Sequence, residues 1–378
     1  MEILSPTARA WAEIDLGALR HNFEYVKKQA GKPVMCVVKA DAYGHGAARC
    51  GLYLQALGAD AFAVACLAEA LALREAGVVK PILILGYTGP AYAALLARHG
   101  LIQTVQGEET ALALSEAAQK AGGPVAVHLK IDTGMNRTGI FAQTPASCAA
   151  AAAEAARIFA LPGLRVEGLY MHFSAADDPA EDAYTAWQLA NFTAVVQALK
   201  AMGLDPGLCH ASSSAALLGH PEAGLDMVRV GVVLYGLYPD SQPHPGGPLR
   251  PVMALKARVA QVRDLPAGAS VSYGRAYKAA RPIRIAAVAA GYADGLPRRL
   301  SNQGYDRIGG KPYPQIGRIC MDMHMVDVTG APSIAPGDEA VLWGGQGMCA
   351  EEAAQIVGTI NYELTCLVTQ RANRVYVE

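Results

Sequence analysis

Charge is scarce in this sequence, and what there is cancels. Asp, Glu, Lys and Arg make up 17% of the 378 residues, and 32 basic against 33 acidic residues leave a net charge of −1. There is no basic excess to bind nucleic acid or an anionic membrane. No uninterrupted apolar run reaches the ~18 residues of a spanning helix. Residues 1–15 lack a basic segment followed by an apolar core, so no secretory signal is expected. The eight cysteines are scattered without a Cys-x-x-Cys pair, which reads as reduced, mostly buried thiols in a cytosol. The nine histidines also lack paired spacing, so no metal site is expected. Hydrophobic residues, by contrast, reach 52%, ample for a buried core and too many for a disordered chain. At ~150 residues per domain the length suggests two domains, or one large barrel with a smaller unit.

The first part of the chain alternates two patterns. Short β-rich apolar runs lie at 34–38, 61–65, 82–85, 102–105, 125–131, 165–171, 208–211 and 227–230. Ala-rich stretches of helical period fall near 46–57, 67–76, 90–99, 107–121, 145–160, 180–202 and 213–219. The runs are continuously apolar, as strands buried on both faces should be. Eight such repeats predict an α/β fold with a (β/α)8 barrel over 1–240. An open doubly wound sheet is the alternative, but no Gly-x-Gly-x-x-Gly turn follows the first strand. From 239 to 251 the chain is rich in Pro, Gly and Ser, as a linker would be. Beyond it, β-like segments near 252–264, 270–277, 283–289, 315–327 and 339–343, then a helical stretch at 350–358, predict a mainly β domain over 241–378. The stretch Trp11–Asp15 is compatible with a strand of either domain.

Barrels of this kind carry their reactive groups at the C-terminal ends of the strands. Read this way, Lys39, Arg137, Arg229, His172 and His210 converge on one rim. Lys39 closes a buried apolar strand, where its amine pKa tends to fall, and a neutral amine can form a Schiff base with an aldehyde. A lysine that ends a strand and points into water is the commoner case on spacing alone. Ser212–Ser214 and Gly231 follow strands seven and eight, where barrels often build a phosphate site, although a serine cluster is more often only a helix cap. A lysine and a phosphate cup on one rim together suggest pyridoxal 5′-phosphate.

The string V-V-K-A-D-A-Y-G-H-G at 37–46 resembles the cofactor-attachment site of alanine racemases. The resemblance continues through K-I-D-T-G-M-N-R-T-G (130–139), G-L-Y-M-H-F (168–173), M-V-R-V-G (227–231), S-Y-G (272–274), G-Y-A-D-G (291–295), R-I-C-M-D (318–322) and I-N-Y-E (360–363). Order and spacing fit over nearly the whole chain, where a lone motif would be weak.

The resemblance implies a pyridoxal-phosphate-dependent isomerase that interconverts L- and D-alanine, supplying D-alanine for peptidoglycan in the cytoplasm. It implies a head-to-tail homodimer in which the β domain of each subunit completes the partner's active site. Lys39 then holds the cofactor and serves as one base. Tyr273 matches the second base, on the opposite face of Cα. Two groups are needed because one cannot remove and deliver a proton on both faces without moving. Tyr43, Ser214, Gly231, Val232 and Tyr362 match phosphate-side positions. His172 matches the residue that bonds the tyrosine and lies by the cofactor. Arg229 matches the arginine facing the pyridine nitrogen; arginine stays protonated, so that nitrogen accepts a hydrogen bond and remains neutral, which favours simple return of the proton. Arg137 matches the arginine at the ring oxygen. Met321 and Asp322 match the partner-subunit pair beside the substrate carboxylate, and Tyr292, with Tyr362, an inner gate. Lys130 matches a position that is often a carbamylated lysine. Ser213 departs from the family, which often has Asn there. A broader racemase acting on serine or lysine is the alternative reading; a fold-related decarboxylase is opposed by Arg229, and a non-enzymatic cofactor carrier by the β domain.

Overall fold

The computed structural model describes residues 8–378. Its contacts divide them into two compact units. The first unit, Phe23–Ala42 with Ala47–Leu234, is built on parallel strands. These are β2 (Val34–Val37), β3 (Ala61–Val64), β4 (Ile82–Ile84), β5 (Leu101–Val105), β6 (Val125–Asp132), β8 (Leu164–Tyr170), β9 (Leu208–His210) and β10 (Val228–Val230), with a two-residue β7 (Ile140–Phe141) beside β6. They run in the order β10–β2–β3–β4–β5–β6–β8–β9. All eight expected runs are strands, and β2 through β6 are buried along their whole length, which explains their unbroken apolar character. At the β9–β10 seam, Asp226 N donates to Cys209 O (3.1 Å), Cys209 N to the Asp226 carboxylate (2.8 Å) and Arg229 N to Ser212 O (2.9 Å), which nearly closes the barrel.

Helices fill the expected stretches between strands, at Ala47–Ala56, Leu67–Glu75, Ala93–Arg98, Glu108–Lys120, Pro145–Phe159, Asp182–Ala201 and Ser214–Gly219. Thr144 and Ser147 form a reciprocal capping box at the start of the fifth of these. A further helix, Leu16–Ala30, precedes the first barrel strand. Its mixed composition lacks the alanine that marks the others, so the compositional signal passes over it.

The second unit comprises the described residues up to Asn22, Tyr43–Gly46 and Tyr235–Glu378. Its strands are β1 (Ala10–Asp15), β11 (Met253–Leu265), β12 (Ser270–Val271), β13 (Tyr277–Lys278), β14 (Ile283–Val288), β15 (Tyr305–Ile308), β16 (Lys311–Ile316), β17 (His324–Asp327), β18 (Glu339–Gly344) and β19 (Asn373–Val377). The large sheet runs β14–β17–β16–β15–β18–β11–β1–β19, and β14 also pairs with β11. Six antiparallel strands therefore return on themselves. Two irregularities in the thirteen-residue β11 let it turn the corner.

The stretch Trp11–Asp15, which the boundary at 240 grouped with the barrel, lies in this sheet between β11 and β19. Trp11 is fully buried there. Two expected strands are interrupted. The segment 270–277 is broken by a tight turn at Tyr273–Arg275, and 315–327 by a loop that carries Arg318–Asp322. The Pro/Gly/Ser-rich stretch 239–251 has no regular structure but is bonded into the second unit. Ser241 Oγ donates to Asn361 (3.0 Å), and Asn22 exchanges two 2.8 Å bonds with the Arg250 backbone. All eight cysteines are free thiols. Among the described residues, no helix is long and apolar enough to cross a membrane.

Candidate active site

The chain leaves β2 through Val38 and turns the wrong way. Ala40, Asp41, Ala42 and Tyr43 all have φ between +52° and +56°, a left-handed turn built without glycine. Such backbone costs about 1–2 kcal/mol per residue and persists only when neighbours impose it. Glu69 supplies part of the restraint, its two oxygens accepting from Ala40 N and Ala65 N at 2.7 Å each. Asp41 accepts from Ala47 N (2.7 Å), and Ala42 N donates to Val38 O (2.9 Å). The half-buried Lys39 starts this turn, so its position at the strand end is fixed by a strained, braced backbone.

Around it the barrel gathers cations. His172 feels Arg229, Arg137, Lys130 and Lys39; burial first, then these four charges, hold its imidazole well below the ordinary value, so it is neutral. Lys130 is buried and donates to Thr138 Oγ1 (2.8 Å). Burial and then Arg137, opposed by Asp132, push its amine down to about 8. One oxygen of Asp132 accepts the Gly134 and Asn136 amides (3.1 and 3.0 Å), bonds that shape the loop carrying the exposed Arg137.

Arg229 is buried below this group. Its Nη1 faces His210 Nδ1 at 2.8 Å; its Nη2 donates to Met171 O at 2.9 Å and faces His172 Nδ1 at 3.3 Å. The guanidinium lies 5.1 Å from the Tyr170 ring, which stacks on His210. His210 continues to His128, Nε2 to Nδ1 at 2.9 Å. Sequence reasoning placed His210 on the rim and Tyr170 in the 168–173 string without a role for either, and passed over His128. Two histidines at strand positions inside otherwise apolar runs were the available signal.

Ser214 and Gly231 are brought together directly. Gly231 N donates to Ser214 Oγ at 3.0 Å, which leaves the hydroxyl hydrogen to donate elsewhere. Val232 is buried and opens a short turn, Val232–Tyr235. Ser213, the departure from the family, caps the helix Ser214–Gly219 by accepting from Ala216 N (3.4 Å).

The remaining predicted residues belong to the second unit. Tyr43 packs its ring 5.1 Å from Tyr235 and 6.2 Å from Tyr362. Tyr273, Tyr292, Met321 and Asp322 are exposed, Tyr273 by 67%. One hub connects them. Ser272, at φ +63°, donates to Arg318 O (2.6 Å) and lies 3.4 Å from Cys320 Sγ, while Tyr292 N donates to Cys320 O (3.0 Å). An exposed tyrosine flanked by strained backbone, tied through this hub to exposed Met321 and Tyr292, is a surface that its own unit's core does not require.

Residues 14–239 match the model for the alanine racemase N-terminal domain, and 252–376 that for the C-terminal domain. The alanine racemase of Desulfovibrio desulfuricans is 45% identical over 370 residues, 97% of this chain and 98% of the relative. That of Carboxydothermus hydrogenoformans is 43% identical over 97% of this chain and 99% of its own. Among solved structures, the alanine racemase of Clostridium difficile 630 superimposes with a TM-score of 0.92 at 36% identity, covering 99% of this chain and 97% of that one. The Bacillus anthracis alanine racemase with bound L-Ala-P gives 0.89 at 32%, over 99% and 96%. Both units, the braced lysine turn and the arginine on its paired histidines thus lie in a chain matched end to end by one group of proteins: it belongs to the alanine racemase family.

Proposed function

We propose that this protein racemises alanine with pyridoxal 5′-phosphate held by Lys39. The observation that carries the reading is the ring of Lys39, Lys130, Arg137 and Arg229 around a neutral His172. Three basic groups beside the primary amine of Lys39 suit an anionic, aldehyde-bearing phosphate ester. The Ser214 hydroxyl, Gly231 and Val232, with Tyr43 and Tyr362, hold the phosphate end; Arg137 neutralises the ring oxygen. Bound there, the cofactor supplies an electron sink for the substrate's α-carbon.

The protein's own groups do the proton work. Lys39 takes or returns the α-proton on one face, and Tyr273 of the partner subunit on the other. His172 accepts from Arg229 at Nδ1, so its Nε2–H is left to donate to that phenol oxygen. This favours the phenolate when Tyr273 acts as base. Arg229 has only N–H donors, so an acceptor nitrogen facing it stays unprotonated. Met321 and Asp322 orient the carboxylate side, and Tyr292 with Tyr362 narrows the entrance. The exposure of Tyr273, Met321 and Tyr292 supports a head-to-tail homodimer, in which residues 241–378 of one subunit complete the site on the barrel, 1–240, of the other. The proposed setting is the cytoplasm, where the product D-alanine enters peptidoglycan. A broader racemase for serine or lysine is not favoured, since the full-length relatives carry the name alanine racemase.

The test is purified protein with pyridoxal phosphate and pure L-alanine, followed by optical rotation. Decay to zero at constant total alanine is the expected outcome. A flat trace, or a Lys39→Ala variant that still fixes cofactor on borohydride reduction, would overturn the reading.

A further inference from the structure

We infer that Asp294 is a positioning residue that sets the Met321–Asp322 segment in place through two arginines. This rests on the proposed function, in which that segment orients the substrate carboxylate. The Asp294 carboxylate is fully buried. Its Oδ1 lies 2.6 Å from Arg9 Nη2 and 3.5 Å from Arg371 Nε; its Oδ2 accepts from Arg9 Nη1 (3.1 Å) and from Gly291 N (2.9 Å). Both arginines reach on to Asp322. Arg9 Nη1 also donates to the Asp322 carbonyl (3.2 Å) and the Ala289 carbonyl (2.7 Å), while Arg371 Nη2 donates to the Asp322 carboxylate at 2.7 Å.

Two cations and two anions thus form a neutral quartet, with its buried member at the centre and Asp322, half-exposed at 52%, at the rim. The same carboxylate binds the loop that bears Tyr292. Tyr292 N and Ala293 N donate to Cys320 O (3.0 Å) and Met321 O (3.1 Å). A Cβ on Gly291 would lie 2.2 Å from Cys320 O, so only glycine permits this approach. Asp294 therefore joins three separate stretches, the residues before β1, the Tyr292 turn and the chain leading into β19, onto one substrate-side segment. A lone surface pair contributes little, but a buried carboxylate with every oxygen occupied makes the geometry stiff.

Arg371→Gln is the variant of choice, because Arg371 is 44% exposed and its loss leaves Arg9 to neutralise Asp294. We expect KM for L-alanine to rise about 10-fold, the effect of one charge-assisted bond, with kcat within about 2-fold because the proton-moving groups are untouched. Hydrogen exchange should quicken at 290–294 and 318–323 and stay unchanged in β14. Adding Asp322→Asn should raise KM no further than Asp322→Asn alone, since Arg371 acts through Asp322. Unchanged exchange at 318–323, faster exchange without a change in KM, or additive effects on KM would each overturn the inference. A wild type without racemase activity would overturn the functional reading instead, and the exchange measurement would still decide whether the quartet holds the segment.

Discussion

Nη1 of Arg229 lies 2.8 Å from Nδ1 of His210, and because a guanidinium can only donate, that single contact sets the protons of a chain of buried imidazoles. His210 Nδ1 must be the acceptor, so its Nε2 carries the hydrogen. That hydrogen goes to His128 Nδ1 at 2.9 Å, which places the remaining N–H of His128 on Nε2, an atom with no partner among the described residues. His172, facing Nη2, is constrained in the same way. The arginine keeps its charge, because a guanidinium that only donates to neutral imidazoles does not give up its proton to them.

These imidazoles should make the protein acid-labile. Burial first and Arg229 second hold His128 down to about 4, and hold His172 and His210 well below the ordinary value. In the unfolded chain each titrates near 6.5. As pH falls below that value the unfolded state takes up protons the folded state refuses, so stability drops. The slope is up to about 1.4 kcal/mol per pH unit for each imidazole. His324 opposes this: burial lowers its pKa, but Asp306 and the Ala290 carbonyl together outweigh that and raise it; its contribution is present below 6.5 and lost as pH rises through the raised value. The urea midpoint should therefore fall from pH 6.5 to 5, and His128→Phe should flatten the fall by about a third. An unchanged slope in that variant would contradict the protonation scheme.

Tyr273→Phe removes one proton carrier and nothing that holds the cofactor. The L-to-D rate should drop about 10²–10⁴-fold, the usual weight of a general acid–base group, with cofactor absorbance retained. Equal loss of absorbance and rate would remove Tyr273 from the chemistry. Stopped-flow polarimetry beside a visible spectrum separates the two.

If the proposed head-to-tail dimer is correct, dilution should inactivate the enzyme as it dissociates, because the exposed Tyr273, Met321 and Tyr292 would then complete the site of another copy. Activity per subunit, followed against sedimentation velocity, should fall with the dimer fraction. A fully active monomer would rule out the shared site.

Lys130 should be the most reactive buried amine. With its pKa near 8, about half is neutral at pH 8, against well under 1% for an ordinary lysine. Cyanate is small enough to reach it, and peptide mapping should find Lys130 modified ahead of the exposed Lys120. Equal labelling would mean that its ammonium is stabilised after all.

Much of this was legible in the sequence, and the reasons differ by region. Barrel strands buried on both faces announce themselves, since no polar residue interrupts Val34–Val37 or Ile82–Ile84. The second unit is harder to read. Its longest strand is bent by two irregularities, and Tyr305–Ile308 and Lys311–Ile316 carry Asp, Arg, Lys and Pro that no apolar pattern marks. The parallel pairing of β1 with β19 joins residues at opposite ends of the chain, which local patterning cannot reveal. Lys39, Arg229 and Tyr273 were found through motifs. Asp294 lay inside the G-Y-A-D-G string without a role, and Arg9 and Arg371 in no motif, because what marks the three is convergence in space from positions 9, 294 and 371.

The second unit also borrows Tyr43–Gly46 from the middle of the barrel sequence. Gly44 sits where a Cβ would be 2.4 Å from the Thr365 carbonyl, and Gly46 where it would be 1.9 Å from the Tyr376 hydroxyl. A chimera made by splicing one relative's barrel to another's β domain at a single crossover would carry these four residues across with the wrong parent, four positions from the lysine. The tight seats of Gly44 and Gly46 would then face a Thr365 and a Tyr376 from another parent, so a working exchange needs two crossovers, one on each side of Tyr43–Gly46.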